Sequence, residues 1–373
     1  MSKKLIDIKP LTKGQEEVIN TLNNKDIDII GIFGPTGTGK SLLSIAYGIN
    51  AILNEEYKRF LIFKPLINVV EGKELSIEVG KETYLSIIEE YFKDLILNYI
   101  DKEEIEKLLK SNRIQFVDLH YLKGRTFDNS IIFIDDVQNV NPESVLEVII
   151  RVGSNSKLIV AGDPVFQRLK SQAKEEKFEK DAASLIREVL LTEEKAKVID
   201  LGIKDIVRYG AKKGLKLLLE VNLRKRKMTE FEEKVKSTVL LHAPDGDIIT
   251  VVDITDLKQK MNIKMESVPD IFILTKTLGR IIGKGGERIT KMEKDLGKKI
   301  RAIELNLELK DWILAFHPLP WLHKHIVEAD FAGQQVKVKV NKENIGAFIG
   351  QKGIYIRFLE EIFLKILGVG VIA

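Results

Sequence analysis

Short apolar runs alternate with longer segments of helical periodicity over the first 228 residues. The apolar runs cover residues 27–33, 59–63, 113–119, 131–134 and 157–161. Between most of them, apolar residues recur every three or four positions, which is typical of amphipathic helices. Residues 83–110 predict two helices that separate near Ile100 and Asp101. Strands that are apolar throughout and alternate with helices predict a parallel sheet covered on both faces.

After about residue 228 the pattern changes to shorter strands and helices, with a turn signal at residues 243–246. A weak internal repeat follows, in which residues 270–289 are echoed by residues 335–356. Each copy predicts a strand, a short helix, a Gly-x-x-Gly turn, a longer helix and a further strand. We therefore expect a large domain at 1–228 and two small modules at 265–308 and 309–373. Residues 229–264 form a linker or the start of the module region.

The most specific motif lies directly after the first apolar run, where residues 34–41 read Gly-Pro-Thr-Gly-Thr-Gly-Lys-Ser. A glycine-rich turn between a strand and a helix directs several backbone N–H groups at one anion. The pattern is that of a phosphate-binding loop and predicts a nucleoside triphosphate site. Lys40 would reach the β- and γ-phosphates, and the Ser41 hydroxyl would bind Mg²⁺. The predicted nucleotide-binding residues are Gly34, Pro35, Thr36, Gly37, Thr38, Gly39, Lys40 and Ser41.

Two carboxylates follow the fourth apolar run, in the segment Ile-Ile-Phe-Ile-Asp-Asp that ends at Asp136. A buried strand that ends in acidic residues beside a phosphate loop is typical of a magnesium-binding strand of a nucleotide hydrolase. Asp135 would hold Mg²⁺, and Asp136 would orient or deprotonate the attacking water. The next apolar run ends at Gly162 and Asp163, and this order predicts that Gln167 lies near the γ-phosphate.

Composition narrows the chemistry and suggests a partner. The 373 residues include no cysteine, which excludes disulfides, thiolate metal sites and cysteine catalysis. No apolar stretch approaches the ~20 residues of a membrane span, and charges interrupt the first residues, so we expect a cytoplasmic protein without membrane contacts. Net charge is only +4, yet residues 204–227 contain nine Lys or Arg against two acidic residues. This asymmetry favours contact with phosphates or, alternatively, a solvated amphipathic helix.

The first 228 residues resemble the PhoH family of P-loop ATPases, which are related to superfamily 1 helicases. The resemblance implies a RecA-like core in which Gln15 contacts adenine, Gln138 and Gln167 couple nucleotide to nucleic acid, and Arg208 faces a phosphate. It implies a similar phosphate-facing or RNA-facing role for Arg125. The matching segments, in the order of the family, are 11–15, 34–41, Lys64-Pro65 with Glu71-Gly72, 123–126, 135–139, Gly162-Asp163 with Gln167, and 205–208.

Four positions depart from the family pattern. Asp136 stands where glutamate is usual, Lys64 and Lys123 stand where arginine is usual, and Tyr209 stands where histidine is usual. A shorter base and cations that cannot make bidentate phosphate contacts predict intact ATP binding and slow turnover.

The two Gly-x-x-Gly turns, each with a lysine and each between two helices, resemble the loops of type II KH domains. The resemblance implies that backbone amides and one cation approach the phosphates of single-stranded RNA. Trp312 and Trp321 flank a proline-rich turn, and we favour packing over base stacking for both. His317, His323 and His325 lack the pattern of a metal site. The predicted RNA contacts are Arg280, Gly283, Lys284, Gly285, Gly286, Arg288, Gly350, Gln351, Lys352 and Gly353.

Together these features predict an α/β protein with a RecA-like P-loop core on a parallel sheet, followed by two small α+β KH (type II-like) domains. We expect an ATPase that uses ATP and Mg²⁺ and acts on single-stranded RNA, either as a helicase or as a remodelling factor for RNA–protein complexes. Movement along RNA by a single core needs another subunit, so we expect a homo-oligomer, such as a hexamer. The alternatives are an ATP-gated RNA scaffold that recruits a nuclease and a P-loop kinase of a small substrate.

Overall fold

The computed structural model describes residues 5–66, 80–118, 122, 126–166 and 181–373. Gln167, the Glu71-Gly72 pair and the segment 123–125, with Lys123 and Arg125, therefore lie outside the described residues. The chain divides into two compact units, Met1–Lys212 and Lys213–Ala373.

A six-stranded sheet forms the centre of the first unit. Its strand order is β3-β2-β4-β5-β1-β6, and every neighbouring pair is parallel. This confirms the predicted parallel sheet of a RecA-like core. The sixth strand was not predicted, because its apolar residues Ala196, Val198 and Ile199 are interrupted and flanked by charged residues. The strands are β1 (Ile29–Phe33), β2 (Arg59–Phe63), β3 (Ile114–Phe116), β4 (Ser130–Ile134), β5 (Lys157–Gly162) and β6 (Ala196–Asp200).

Helices cover both faces of this sheet, as strands that are apolar throughout require. Ile32 of β1 belongs to an apolar cluster that includes Ile49 of α2. The next residue, Phe33, belongs to a second cluster that includes Val145 of α5 and Ile186 of α6, because successive side chains of a strand point to opposite faces. The helices are α1 (Lys13–Asn23), α2 (Lys40–Leu53), α3 (Lys81–Ile96), α4 (Lys102–Lys110), α5 (Pro142–Ile149) and α6 (Ala182–Leu190).

The seventh helix, α7 (Tyr209–Lys225), begins in the first unit and continues into the second. Its buried residues Leu215, Leu219 and Leu223 are four positions apart and form one stripe. Among the described residues, no helix combines the length and the apolar character that crossing a membrane requires.

The second unit contains two small three-stranded sheets. In the first, β7 pairs antiparallel with β8, and β8 pairs parallel with β9. Residues 229–264, described above as a linker or the start of the module region, contain α8, β7 and α9. The elements are α8 (Glu230–His242), β7 (Ile248–Asp253), α9 (Thr255–Lys260), β8 (Ile271–Thr275), α10 (Leu278–Ile282), α11 (Glu287–Leu296) and β9 (Ile300–Glu304).

The second small sheet repeats this arrangement. Strand β10 pairs antiparallel with β11, and β11 pairs parallel with β12. A short helix, a Gly-x-x-Gly turn and a longer helix again separate the two parallel strands, so the predicted pair of small α+β domains is confirmed. The elements are α12 (Leu309–Phe316), β10 (Ile326–Ala332), β11 (Gln335–Val340), α13 (Ile345–Ile349), α14 (Ile354–Leu367) and β12 (Gly370–Ile372).

Helix α12 packs the two small domains against each other within the second unit. The ring of Phe316 lies 4.6 Å from that of Phe272 in β8 and 5.5 Å from that of Phe363 in α14, both edge to face. Arg301 of β9 donates a hydrogen bond of 2.6 Å to the carbonyl oxygen of Ala315. Because aromatic and hydrogen-bonded contacts join the two domains, the second unit has a continuous interior.

Candidate functional site

The strand order places several polar residues along one edge of the large sheet. Strands β2, β4, β5 and β1 are consecutive neighbours in the order of the sheet. Lys64, Asp135, Asp163 and Gly34 are the first residues after these four strands. Because all four strands run parallel, these residues lie in a row at their carboxyl ends, where ligands bind in open α/β sheets.

The phosphate loop joins this edge to helix α2. Gly37 has a φ of 84°, and a Cβ at this position would lie 2.4 Å from the Cβ of Ala211. The buried hydroxyl of Thr38 donates a hydrogen bond of 2.9 Å to the carbonyl oxygen of Pro35. The local sequence thus folds a tight turn directly before the N-terminus of a 14-residue helix, an arrangement that binds anions through backbone N–H groups.

Lys40, the first residue of α2, reaches back over this loop. Its ammonium donates hydrogen bonds of 2.7 Å and 2.9 Å to the carbonyl oxygens of Gly34 and Pro35. Burial lowers the pKa of Lys40, while the negative charges of Asp163, Asp136 and Asp135 oppose this effect. The structure therefore brings the predicted phosphate-binding cation and the carboxylates of two neighbouring strands together.

Ser41 and Asp135 are in direct contact. The Ser41 hydroxyl donates a hydrogen bond of 2.9 Å to Oδ1 of Asp135. Asp135 is buried, which raises the pKa of its carboxyl group, as does the charge of Asp136. A hydroxyl oxygen and a carboxylate oxygen are hard ligands that suit Mg²⁺, so the residues present fit the ion.

Lys64 bridges the two acidic residues of the site. Its ammonium lies 2.9 Å from Oδ2 of Asp135 and also forms an ion pair with Asp136. Burial alone would lower the pKa of Lys64, but the two carboxylates outweigh it and raise the pKa. The ammonium also lies 4.3 Å from the ring centroid of Tyr91 on α3. The sequence analysis placed Lys64 in a segment that matches the family, as a lysine where arginine is usual, but it missed Tyr91, which no local motif marks.

Asp136 adopts a left-handed backbone conformation, with a φ of 51°. A non-glycine residue in this region stores strain, which is common at functional sites. Burial would raise the pKa of Asp136, but the charge and hydrogen bond of Lys64 outweigh it, so the pKa is lowered. The carboxylate therefore stays ionised and able to accept a proton or a hydrogen bond.

Gln138 connects Asp136 with the turn after β5. Its side-chain nitrogen donates a hydrogen bond of 3.3 Å to Oδ1 of Asp136, and its side-chain oxygen accepts one of 2.9 Å from the backbone N–H of Asp163. Asp163 in turn accepts hydrogen bonds from the backbone N–H groups of Val165 and Phe166. The buried side-chain amide of Gln138 thus links Asp136, the candidate catalytic base, to the turn that follows β5.

Gln15 and Arg208 both lie against the phosphate loop. The side-chain nitrogen of Gln15 donates a hydrogen bond of 2.9 Å to the carbonyl oxygen of Thr38, and its oxygen accepts one of 2.8 Å from the N–H of Leu11. The backbone N–H of Arg208 donates to the carbonyl oxygen of Gly37 at 3.4 Å, and the Arg208 side chain is exposed. Both residues therefore lie at the loop that is predicted to bind the nucleotide.

The two Gly-x-x-Gly turns of the second unit have the same backbone conformation. Their first glycines, Gly283 and Gly350, have φ/ψ values of 77°/172° and 76°/166°. The third position is left-handed in both turns, and it is Gly285 in the first turn but Lys352 in the second, with φ values of 60° and 53°. The cation thus occupies the second position of one turn, Lys284, and the third position of the other.

An acidic residue lies beside the first turn. Arg288 donates hydrogen bonds of 2.6 Å to Oδ1 of Asp245 and 2.8 Å to the carbonyl oxygen of Arg280. Arg280 donates one of 3.0 Å to the carbonyl oxygen of Asp245. Both predicted RNA-contacting arginines are therefore tied to the turn at 243–246, which sequence reasoning did not assign to the site.

Part of the basic run at 204–227 has a structural role. Arg224 pairs with Glu220 and Asp247. Arg226 is largely buried and pairs with Glu232 at 3.0 Å. Internal carboxylates thus neutralise two of the four cations at 224–227 that were considered for phosphate contact.

Comparison with known proteins decides the family. The sequence profile of PhoH-like protein matches residues 7–220, which is more than half of the chain. The chain belongs to the PhoH-like protein family. A KH domain profile matches residues 250–311, the region of the first small domain.

The PhoH-like region is shared with curated bacterial relatives. A PhoH-like protein of Bacillus subtilis is 28% identical over 204 residues, which cover 54% of this chain and 60% of the relative. One of Mycobacterium leprae is 31% identical over 159 residues, which cover 42% of this chain and 44% of the relative. The chain therefore spans less than two thirds of the length of these relatives.

Similarity to solved structures is weaker. The large terminase of a thermophilic bacteriophage is 13% identical, and the match covers 60% of this chain and 52% of the terminase chain, with a TM-score of 0.35. A likeness at that level does not bear on function.

Proposed function

We propose that this PhoH-like protein binds and hydrolyses ATP with Mg²⁺ and that it acts on single-stranded RNA held by its two small domains. One observation supports the proposal best: at one edge of the large sheet lie together Lys40, Ser41, Asp135 and Asp136. Ser41 and Asp135 are 2.9 Å apart, and Lys40 lies over the loop. These are the groups that phosphoryl transfer to water requires.

Binding uses the loop and its cation. The N–H groups of residues 34–41 would surround the β- and γ-phosphates, and Lys40 would neutralise their charge. Ser41 and Asp135 would hold Mg²⁺ together with phosphate oxygens. When bound, the ion neutralises charge that develops on the phosphates. Gln15 already holds the loop through its hydrogen bond to Thr38 and would contact the adenine ring of the nucleotide.

Hydrolysis requires a water molecule that is oriented at the γ-phosphate. Asp136 is held at one oxygen by Gln138 and at the other by Lys64, so it can accept a hydrogen bond from that water in a fixed orientation. Arg208 and Gln167 would stabilise the charge that forms in transfer. The contact of the Arg208 backbone with Gly37 supports action within the same subunit.

RNA would bind on the Gly-x-x-Gly turns. The first small domain matches the KH profile, and the second repeats its topology and the conformation of its turn. We therefore propose a second KH domain and a backbone contact at Gly283–Gly286 and Gly350–Gly353. ATP turnover would change the grip on RNA, and a homo-oligomer, such as a hexamer, would convert this change into movement.

Phosphate release from ATP, measured with and without single-stranded RNA, tests the proposal. Lys40→Ala is the blank, because it removes the phosphate-binding cation. We expect RNA to stimulate the wild-type rate and the stimulation to disappear when Lys284 and Lys352 are both replaced by alanine. Equal rates with and without RNA, despite measured RNA binding, would refute an RNA-driven ATPase.

The pairing of Lys64 with Asp136 favours a second candidate function. A base that is ion-paired and has a lowered pKa is a weak base, and Asp136 is also one methylene shorter than glutamate. The chain would then act as an ATP-gated RNA scaffold that recruits a nuclease and does no mechanical work. ATP-dependent RNA affinity without RNA-stimulated turnover would identify this function.

A further inference from the structure

The two tryptophans of the chain have opposite environments. Trp312 of α12 is fully buried, packs edge to face against Phe316, and donates a hydrogen bond of 3.2 Å from its indole nitrogen to Asn306. Trp321 lies in a short 3-10 helix before β10, and 47% of its surface is exposed. Packing thus accounts for Trp312 as predicted, but it leaves half of Trp321 in contact with solvent.

A second ring fixes the position of Trp321. The ring of His325 lies 5.6 Å from that of Trp321, at an interplanar angle of 74°. His325 in turn forms hydrogen bonds with the segment that precedes helix α13. Its Nδ1 lies 3.1 Å from the side-chain nitrogen of Asn344, and its carbonyl oxygen accepts a hydrogen bond from the N–H of Asn341. The aromatic pair therefore has a defined orientation beside the start of α13.

Helix α13 leads directly to the second Gly-x-x-Gly turn. The helix comprises only Ile345–Ile349, and Gly350 follows it. At 1.5 Å per residue, this helix is about 7 Å long. The aromatic pair and the turn thus lie at opposite ends of one short helix, close enough for a single extended nucleic-acid strand to contact both.

The charge around Trp321 suits a polyanion. Lys324, which precedes His325, and Lys342, which follows Asn341, are exposed, as is the side chain of His323. Glu343 is the acidic residue in the same 3-10 turn as Lys342. An exposed indole bordered by lysines is the combination that stacks a base while cations hold the flanking phosphates.

We propose that Trp321, supported by His325, stacks an unpaired base of the RNA strand whose backbone lies on the Gly350–Gly353 turn. The inference rests on the proposed function, because it assigns a further contact to the same RNA. Base stacking on an aromatic side chain tolerates any base, so this contact adds affinity and little sequence preference.

Two measurements on the 373-residue chain test the proposal. The first is the affinity for a labelled 12-nucleotide oligouridine, measured by fluorescence anisotropy. We expect Trp321→Ala to weaken binding about 10-fold and Trp321→Phe to retain most of the affinity. Val327→Ala is the matched control, because it removes an exposed apolar side chain from the neighbouring strand.

The second measurement uses the intrinsic fluorescence of the unlabelled chain. Trp312 is buried, so acrylamide quenches mainly Trp321. Bound oligouridine should protect Trp321 from acrylamide and change its emission. This readout does not depend on the folding of a variant, because it uses the wild-type protein.

The outcomes separate the two proposals. RNA binding that Trp321→Ala leaves unchanged, with no change in quenching, overturns the stacking site and leaves the proposed function intact. Absence of any RNA binding by the wild-type chain overturns both. If Trp321→Ala instead changes the oligomeric state in light scattering and leaves RNA affinity unchanged, Trp321 belongs to a protein interface and the stacking site is refuted.

Discussion

Arg288 donates a hydrogen bond of 2.6 Å to the carboxylate of Asp245. A carboxylate of the same chain thus pairs with this arginine beside the first Gly-x-x-Gly turn. The pairing lowers the pKa of Asp245, chiefly through this hydrogen bond, and the carboxylate therefore remains charged. In the second turn the corresponding position, five residues after the first glycine, is Tyr355 and not arginine. The two turns therefore differ at this position, where one has an arginine paired with a carboxylate and the other has a tyrosine.

Replacing Asp245 by asparagine should strengthen RNA binding. Asparagine keeps an oxygen that accepts the hydrogen bond from Arg288 but removes the charge that competes with a phosphate. We expect a gain in affinity of about 2- to 5-fold and a log–log salt dependence that is steeper by about 0.7, as one additional phosphate contact predicts. Anisotropy titrations at several salt concentrations measure both quantities.

Asp256→Asn is the control for this experiment. Asp256 is exposed in α9, so its replacement removes the same charge from the same domain without touching Arg288. An equal gain from Asp256→Asn would mean that net charge alone explains the effect and would contradict competition at Arg288.

Removing the cation at Lys64 should destabilise the first unit. Lys64→Met leaves the buried carboxylates of Asp135 and Asp136 without their counter-ion, which costs about 3 kcal/mol at pH 7. Burial and the charge of Asp136 already raise the pKa of Asp135, and Lys64 opposes this rise, so removing Lys64 raises the pKa further. The ionised Asp135 carboxylate then destabilises the folded state at high pH, and protonation at lower pH relieves this effect. The deficit relative to wild type should therefore shrink between pH 7 and pH 5.

Urea denaturation followed by circular dichroism measures this effect. Tryptophan fluorescence would not, because both tryptophans lie in the second unit and do not report on the first. Lys64→Arg keeps the charge and should remain close to wild type in stability. A Lys64→Met deficit that does not depend on pH would argue against an electrostatic cause.

The stability of the second unit should fall in mild acid because of His317. Its Nδ1 accepts a hydrogen bond from the N–H of Leu319, and its Nε2 lies 3.0 Å from the carbonyl oxygen of Phe348, so the ring is held neutral. Burial lowers its pKa below the ordinary value of 6.5. The unfolded state therefore binds the proton more readily than the folded state. The free energy of unfolding is highest above pH 6.5, and it falls below that pH by at most about 1.4 kcal/mol per pH unit.

Tryptophan fluorescence during urea denaturation follows this unit directly. We expect His317→Asn to be less stable at pH 7 but to show a flatter dependence between pH 7 and pH 5. His323 is exposed, so His323→Gln should retain the wild-type pH dependence. A wild-type profile without a slope in this range would refute the role of His317.

Lys352 should lower the free energy of unfolding but strengthen the binding of RNA. Its φ of 53° is a left-handed conformation that strains a residue with a Cβ but not glycine. We expect Lys352→Gly to raise the free energy of unfolding by roughly 0.5–1 kcal/mol and to weaken RNA binding, with a salt dependence shallower by about 0.7. Gln351→Gly, in the same turn but without the positive φ, should give neither the stabilisation nor the change in salt dependence.

Contiguous patterns in the sequence determined much of this protein. The phosphate loop, the strand that ends at Asp135, and both Gly-x-x-Gly turns were predicted at their observed positions. The conformations of these segments depend on neighbours within a few residues, such as the glycines of the loop and the apolar residues of a buried strand. The predicted strand bounds agree with the structure to within about three residues for the same reason.

Only the tertiary structure decided which charged groups meet. Lys64 and Asp135 are 71 residues apart in the chain and become partners because β2 pairs with β4. Arg288 and Asp245 are 43 residues apart. Strand β6, which pairs with β1 more than 160 residues earlier in the chain, and the exposure of Trp321 likewise follow from the positions of distant segments. Charge pairing and burial depend on distances through space, which a local pattern of residues does not contain.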